Sequence, residues 1–286
     1  MLHYTTSFCS EDKDWVVFVH GMGGNSNIWY KQIDEFRKHF NLMFIDLCGH
    51  GGSTKSIKKY SFEQLAGEIV ETLDQAGIES AHFVGISLGS IVLDAFSLIA
   101  PGRIKSMVLG GAVMGYDLKS RFLLRAGAMI KWIIPYMWLY RLFAFIMMPR
   151  KNHAKSRQVF IREAKKLGGR EFRKWYRLME TLIAFYKSFQ TRPSRNIPKL
   201  YISGDQDHLF LPFVIDTFLH DRASSIHIIE KCGHVCNIER DKEFNRVSLY
   251  YLNRYPDLPV IKNVPVPSAV HQAPYEEWAF DQHKSK

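Results

Sequence analysis

The chain has 286 residues, 47% of them hydrophobic and 23% charged, with a net charge of +10. That balance excludes a disordered or fibrous protein and suits one large buried core, or a core carrying an insertion. The charge is uneven: between Lys119 and Arg195 stand 19 Lys and Arg against three acids (Glu163, Glu171, Glu180), while the remainder carries a net −6. In chain order, residues 1–10 (MLHYTTSFCS) hold no basic stretch followed by an apolar one, so the expectation is a protein that stays in the cytoplasm. Nearly continuous apolar runs at 15–19, 42–47, 81–86, 106–110, 199–203 and 225–229 read as parallel strands buried on both faces. Helical segments fall between them at 28–39, 61–76 and 88–99, and a helix over 241–254 closes the core. Such alternation means a mostly parallel sheet flanked by helices.

The alternation lapses over 117–195, which reads as helices only, and strands resume at 199. The expected organisation is an α/β core over 1–116 and 196–258, interrupted by an inserted helical cap over 117–195. Residues beyond Tyr255 hold five of the eleven prolines, so 259–286 reads as a tail, extended on the surface or disordered.

Four segments carry chemistry. Gly85-Ile86-Ser87-Leu88-Gly89 matches G-x-S-x-G between a buried strand and an apolar helix, where a serine adopts strained backbone angles and points its hydroxyl clear of the sheet. His20-Gly21-Met22-Gly23-Gly24 follows the first strand. A dinucleotide site would need G-x-G-x-x-G, and its third glycine is missing here. The H-G-x-G-G form instead resembles a loop supplying half of an oxyanion hole, with backbone N–H donors from Met22 and Leu88. Ser203-Gly204-Asp205-Gln206-Asp207 and Cys232-Gly233-His234 end the next two strands, in the chain order Ser, Asp, His. His234 is the candidate base, His20 has a backbone-structuring role, and Asp205, Asp207 and Asp117 are all candidate acids.

Taken together, HGMGG, DLCGHGGS, GISLGS, SGDQD and CGH resemble the α/β-hydrolase superfamily over roughly residues 12–115 and 196–254. The resemblance implies the α/β-hydrolase fold, a serine nucleophile at Ser87, His234 as its base and Asp207 as the acid, with Asp205 stabilising the turn. It also implies ester hydrolysis of the esterase or lipase kind with no cofactor. Thioesterase and carbon–carbon bond hydrolase are rivals on the same machinery, and a ligand sensor is a rival without catalysis. One departure is Cys48, where the family often carries Arg or Pro.

Cys232 and Cys236 flank His234, but no second ligand pair accompanies them, so free thiols are expected rather than a metal site. The stretch 128–148 (AMIKWIIPYMWLYRLFAFIMM) is close to the ~20 residues that span a bilayer. Lys131, Pro135 and Arg141 argue against spanning and for two cap helices broken at Pro135, roofing a pocket for an apolar acyl group. A second reading has this basic cap also contact a membrane surface. No nucleic-acid motif accompanies the positive charge, so no nucleic-acid partner is expected.

Overall fold

The computed structural model describes residues 1–53, 59–190, 196–258 and 262–263. Within them one sheet contains β1 (His3–Ser7), β2 (Trp15–Val19), β3 (Asn41–Asp46), β4 (Ala81–Ile86), β5 (Ile104–Gly110), β6 (Lys199–Gly204), β7 (Ser224–Ile229) and β8 (Lys262–Asn263). Their spatial order is β1-β3-β2-β4-β5-β6-β7-β8, and every neighbouring pair is parallel except β1 with β3. The mostly parallel sheet expected from the alternating pattern is present.

The apolar runs are two-faced because both sheet faces are covered. Val17, Val19, Phe83 and Leu109 face one core with helices α2 (Phe62–Gln75) and α3 (Leu88–Ile99). Val16, Phe18, Val84 and Val108 face a second core with Trp29, Phe36 and helix α11 (Asp241–Leu252). Alternation along each strand therefore places neighbouring residues in different cores.

Between α3 and β6 the chain forms β5 and then only helices: α4 (Leu118–Ile130), α5 (Tyr136–Met147), α6 (Ala154–Ala164), α7 (Gly168–Glu180) and α8 (Leu182–Gln190). The break between α4 and α5 falls at 131–135, where Pro135 caps α5. Among the described residues no helix is long and apolar enough to cross a membrane. The remaining helices are α1 (Ile33–Phe36), α9 (Leu211–His220), α10 (Cys236–Glu239) and α11 (Asp241–Leu252).

Three local expectations differ from what is observed. Residues 28–39 do not form one helix; a 3-10 turn over Ser26–Trp29 precedes the single turn α1. Tertiary bonds hold the interruption: the Gln32 amide donates to the Asn237 carbonyl and Asn245 Oδ1, and Lys31 Nζ to the Ile238 carbonyl. β1 has no apolar run and escaped the pattern; it is an edge strand fixed by its register on β3, with His3 N–H donating to Ser53 Oγ. Of the expected tail, Lys262 and Asn263 pair in parallel with Ile226 and His227, and 264–286 lie outside the described residues.

The topology positions the site. After β2 the chain pairs β3 on one side and then returns to place β4 on the other. Loops that leave such a switch point diverge and open a crevice beyond the carboxyl ends of the strands. The ends of β2 and β4 are the two glycine-rich segments, at His20 and Ser87.

Candidate active site

Ser87 stands between β4 and α3 with φ 54° and ψ −119°, a conformation that costs a non-glycine residue about 1–3 kcal/mol. The surroundings hold it there. Its N–H donates to the Gly110 carbonyl at 3.0 Å, and its carbonyl accepts from Ser90 N–H at 2.9 Å and Ser90 Oγ at 2.6 Å. The flanking glycines are required by space. A Cβ on Gly85 would meet Leu93 Cδ1 at 2.7 Å, and one on Gly89 would overlap the Val19 carbonyl oxygen. Glycine at both positions lets strand and helix cross closely enough to form the elbow.

His234 lies in the turn between β7 and α10, fully buried, with its ring 4.9 Å from that of Phe210. Its Nε2 is 2.9 Å from Ser87 Oγ and its Nδ1 is 2.7 Å from Asp207 Oδ2. Asp207, at 1% exposure, sits in the turn after β6. An Nδ1–H donating to that carboxylate leaves Nε2 free to accept from the serine hydroxyl, the tautomer proton abstraction needs. The three side chains named from sequence are thus brought together. The other two acids are elsewhere: Asp205 Oδ1 accepts from Cys232 N–H at 3.1 Å and ties the two turns, while Asp117 caps α4 by accepting from Ser120 N–H at 2.7 Å.

The loop after β2 lies against the serine. A Cβ on Gly21 would come within 3.1 Å of Ser87 Cβ, so glycine there permits the approach. Met22, Ser87 and Leu88 line one cavity. Leu88 is the first residue of α3, so its N–H has no partner within the helix and is available to a developing oxyanion.

Two buried histidines shape this loop. His20 Nδ1–H donates to the Gly21 carbonyl at 2.7 Å while its Nε2 accepts from Leu47 N–H at 3.0 Å. His50 Nε2 accepts from Gly23 N–H at 2.9 Å. Burial lowers the pKa of both below the ordinary 6.5, with His20 adding to the effect on His50, so each keeps the lone pair these bonds need. His20 has the structuring role expected of it. His50 was overlooked as a positioning residue although its segment, DLCGHGGS, was in view.

Side chains from the inserted helices reach the same loops. Tyr140 of α5 donates its hydroxyl to the Met22 carbonyl at 2.6 Å. Asn25 Nδ2 donates to Glu163 Oε2 of α6 at 2.8 Å. Glu239 accepts from Gly233 N–H and from Ser156 Oγ of α6, both at 2.7 Å, steadying the turn that carries His234. Nothing in the sequence marked Tyr140 or Glu239 for these tasks. Cys232 and Cys236 are buried and free, and burial pushes both thiols well above their ordinary pKa. Among the described residues no group of three or more His, Cys, Asp or Glu is arranged to hold a metal.

The cavity that begins at Ser87 measures about 180 Å³. Its walls are apolar, among them Leu124, Ile130, Leu139, Ile146, Phe160 and Phe172, with Tyr116, Tyr140, Tyr176 and Ser120 as the polar exceptions besides Ser87. Among the described residues no Lys, Arg, Asp or Glu lines it.

Comparison with known proteins agrees with this geometry. A family model described as the alpha/beta hydrolase fold matches residues 14–140. The dihydrolipoyllysine-residue acetyltransferase component of an acetoin cleaving system from Cupriavidus necator is 35% identical over 94 residues, 33% of this chain but only 25% of that protein. The chain therefore spans about a quarter of that longer relative. Over nearly full length, 3-oxoadipate enol-lactonase 2 from Acinetobacter baylyi is 22% identical, covering 89% of this chain and 94% of its own. A thermophilic esterase from Thermogutta terrifontis superimposes with a TM-score of 0.75 at 18% identity, covering 88% of this chain and 93% of that one. With its sheet, its strained serine turn and these likenesses, the chain has the α/β-hydrolase fold and is similar to members of the α/β-hydrolase superfamily.

Proposed function

We propose that the chain hydrolyses carboxylic esters bearing an uncharged, apolar acyl group, through an acyl-enzyme on Ser87. The observation that carries this reading is the cavity of about 180 Å³ that starts at Ser87 and has no charged side chain among the described residues of its lining. In outline, Ser87 Oγ attacks the ester carbonyl carbon as His234 Nε2 takes the hydroxyl proton. Asp207 stabilises the imidazolium, and the N–H groups of Met22 and Leu88 bind the oxyanion; one such donor is worth about 10²–10³ in turnover. Collapse of the intermediate breaks the bond to the alcohol oxygen, which leaves with the proton from His234. Water then attacks the acyl-enzyme with His234 again as base, releasing the carboxylic acid and restoring Ser87.

The rivals differ in charge. The enol-lactonase relative is named for 3-oxoadipate, an anionic acid. A substrate carboxylate, or the phosphates of an acyl-CoA, would call for a cation near the reacting carbon, and this lining offers none.

The test is hydrolysis of p-nitrophenyl esters from acetate to palmitate by the wild type and by Ser87→Ala. Each methylene buried in the cavity adds about 0.8 kcal/mol, so kcat/KM is expected to rise about fourfold per methylene until the space is full. A cavity near ~150 Å³ holds a benzene-sized group, so the rise should stop at medium chain length. Activity that survives Ser87→Ala, or no activity with any ester together with no labelling by a fluorophosphonate probe, defeats the proposal. The second result would favour a ligand-sensing role.

A further inference from the structure

The outer face of α4, α5 and the turn between them is apolar where it meets solvent. Phe122, Met129, Trp132, Ile133, Trp138 and Phe145 are each more than half exposed, with Ile133 at 83%. Their spacing puts the exposed residues of each helix on one side of it. Phe122 and Met129 are seven residues apart on α4, as are Trp138 and Phe145 on α5, and Trp132 and Ile133 occupy the turn between. The opposite side of α5, with Leu139, Tyr140, Ala144 and Met147, is buried. Patches of this kind on a single chain mark a surface that meets something else.

Charge identifies what it meets. Arg157 lies 4.3 Å from the ring centroid of the exposed Phe145, and Arg173 and Arg177 lie 5.0 and 5.3 Å from that of Trp132. Guanidinium groups are thus seated at the level of the apolar side chains. The three acids of the segment are already engaged: Glu180 with Lys131, Glu163 with Arg162 and Lys166, Glu171 with Lys174. Nineteen basic residues against three acids leave this region strongly positive. A second copy of the chain pairing through the same face would bring like charge onto like, whereas an anionic lipid surface complements both the charge and the Trp-containing apolar face.

The cavity wall and this face share residues. Ile130, Leu142 and Phe143 line the cavity and are also 37%, 53% and 40% exposed, so they belong to the cavity wall and the outer patch alike. We propose that the α4–α5 face docks on an anionic bilayer surface and that the cavity takes its ester directly from the lipid. The docking stands on the face alone; the delivery of substrate rests on ester hydrolysis at Ser87.

The experiment is co-sedimentation of the full chain with vesicles of phosphatidylcholine, with and without phosphatidylglycerol. Binding to the mixed vesicles is expected to exceed binding to phosphatidylcholine alone by about tenfold or more. It should fall as salt rises from about 0.1 M to about 1 M, which shortens screening from ~10 Å to ~3 Å. Met129→Glu with Ile133→Glu, two exposed residues outside the cavity lining, should lower vesicle binding about tenfold while turnover of a soluble butyrate ester is kept. The docking is overturned by absence of binding, by undiminished binding of the double variant, or by a wild-type dimer that the double variant converts to monomer. Vesicle binding by a chain whose Ser87 reacts with no ester or fluorophosphonate keeps the docking and removes the delivery.

Discussion

Tyr140→Phe isolates the tie between the inserted helices and the loop that carries Met22. The hydroxyl donates to the Met22 carbonyl at 2.6 Å, and burial raises the phenol pKa well above 10, so it remains a donor at any working pH. Phenylalanine keeps the ring contacts, stacked on Phe160 at 4.6 Å and edge-on to Phe172 at 6.1 Å, so only the hydrogen bond is lost. A net hydrogen bond is worth about 0.5–1.5 kcal/mol, rising to about 1–3 kcal/mol when the stranded partner stays buried. Met22 is only partly buried, so the lower part of that range applies and a loss of about 1 kcal/mol of stability is expected. The effect on turnover has a ceiling, the ~10²–10³ of a lost oxyanion donor. The loop is still held by His50, which accepts from Gly23 N–H at 2.9 Å, so a fall of about tenfold in kcat is expected. KM should change little, since the cavity wall keeps its ring. Urea unfolding and butyrate-ester kinetics measure both quantities. A loss of stability with kcat unchanged would reduce the hydroxyl to a structural tie, and a rise in KM at constant kcat would move its role to substrate binding.

The remaining predictions address the acid, the elbow and pH. Asp207→Asn should lower kcat about 10³–10⁴-fold by disfavouring the working tautomer of His234, whereas Asp205→Asn keeps an oxygen for Cys232 N–H and should change kcat no more than a few-fold; equal losses would remove the distinction. Gly89→Ala should destabilise by about 1–3 kcal/mol in urea unfolding, although alanine is favoured in a helix by about 1 kcal/mol, because its Cβ meets the backbone of β2; a neutral or stabilising result would mean the crossing is looser than observed. Burial, outweighing Asp14, lowers the His82 pKa from 6.5 to about 4. The unfolded chain therefore binds the extra proton first, and stability is lost as pH falls through that window. Between pH 7 and 4 the wild type should lose on the order of 3 kcal/mol relative to His82→Phe; parallel losses would clear His82.

Much of this was legible because the decisive residues follow from local rules. A buried strand, a glycine-flanked serine and an apolar helix can be arranged in few ways, and Ser87 adopts the strained turn that segment demands. His234 and Asp207 could be read because each ends a strand of a parallel sheet, where side chains converge at one edge. Choosing Asp207 over Asp205 was harder, since both occupy one turn; the structure separates them by a bond that each makes 27 residues away in sequence. The edge strand β1 was missed because HYTTS is polar on both faces and is held by pairing rather than burial. The helix expected over 28–39 failed for the opposite reason: Gln32 and Lys31 have partners near residues 237–245 that no local pattern reveals. Tyr140 and Glu239 belong to that same class of long-range contact.

These long-range contacts bear on how a substrate enters. The inserted helices are fastened to the crevice at several points: Tyr140 to Met22, Glu163 to Asn25, Trp175 Nε1 to the Cys48 carbonyl at 3.2 Å, and Tyr186 of α8, whose hydroxyl lies 2.9 Å from the Val113 carbonyl. Lifting them as one body would break all of these bonds and would release the loop bearing Met22 just when an oxyanion donor must be held still. A bond inside the insertion, from the Tyr176 hydroxyl to the Leu124 carbonyl at 2.6 Å, fastens α4 to α7 rather than to the core. The less costly route for the proposed ester is past Ile130, Leu142 and Phe143, which line the cavity and are partly exposed, and needs only side-chain movement in α4 and α5. On the proposed hydrolysis at Ser87, the apolar side chains of α4 and α5 would then set which ester reaches the serine.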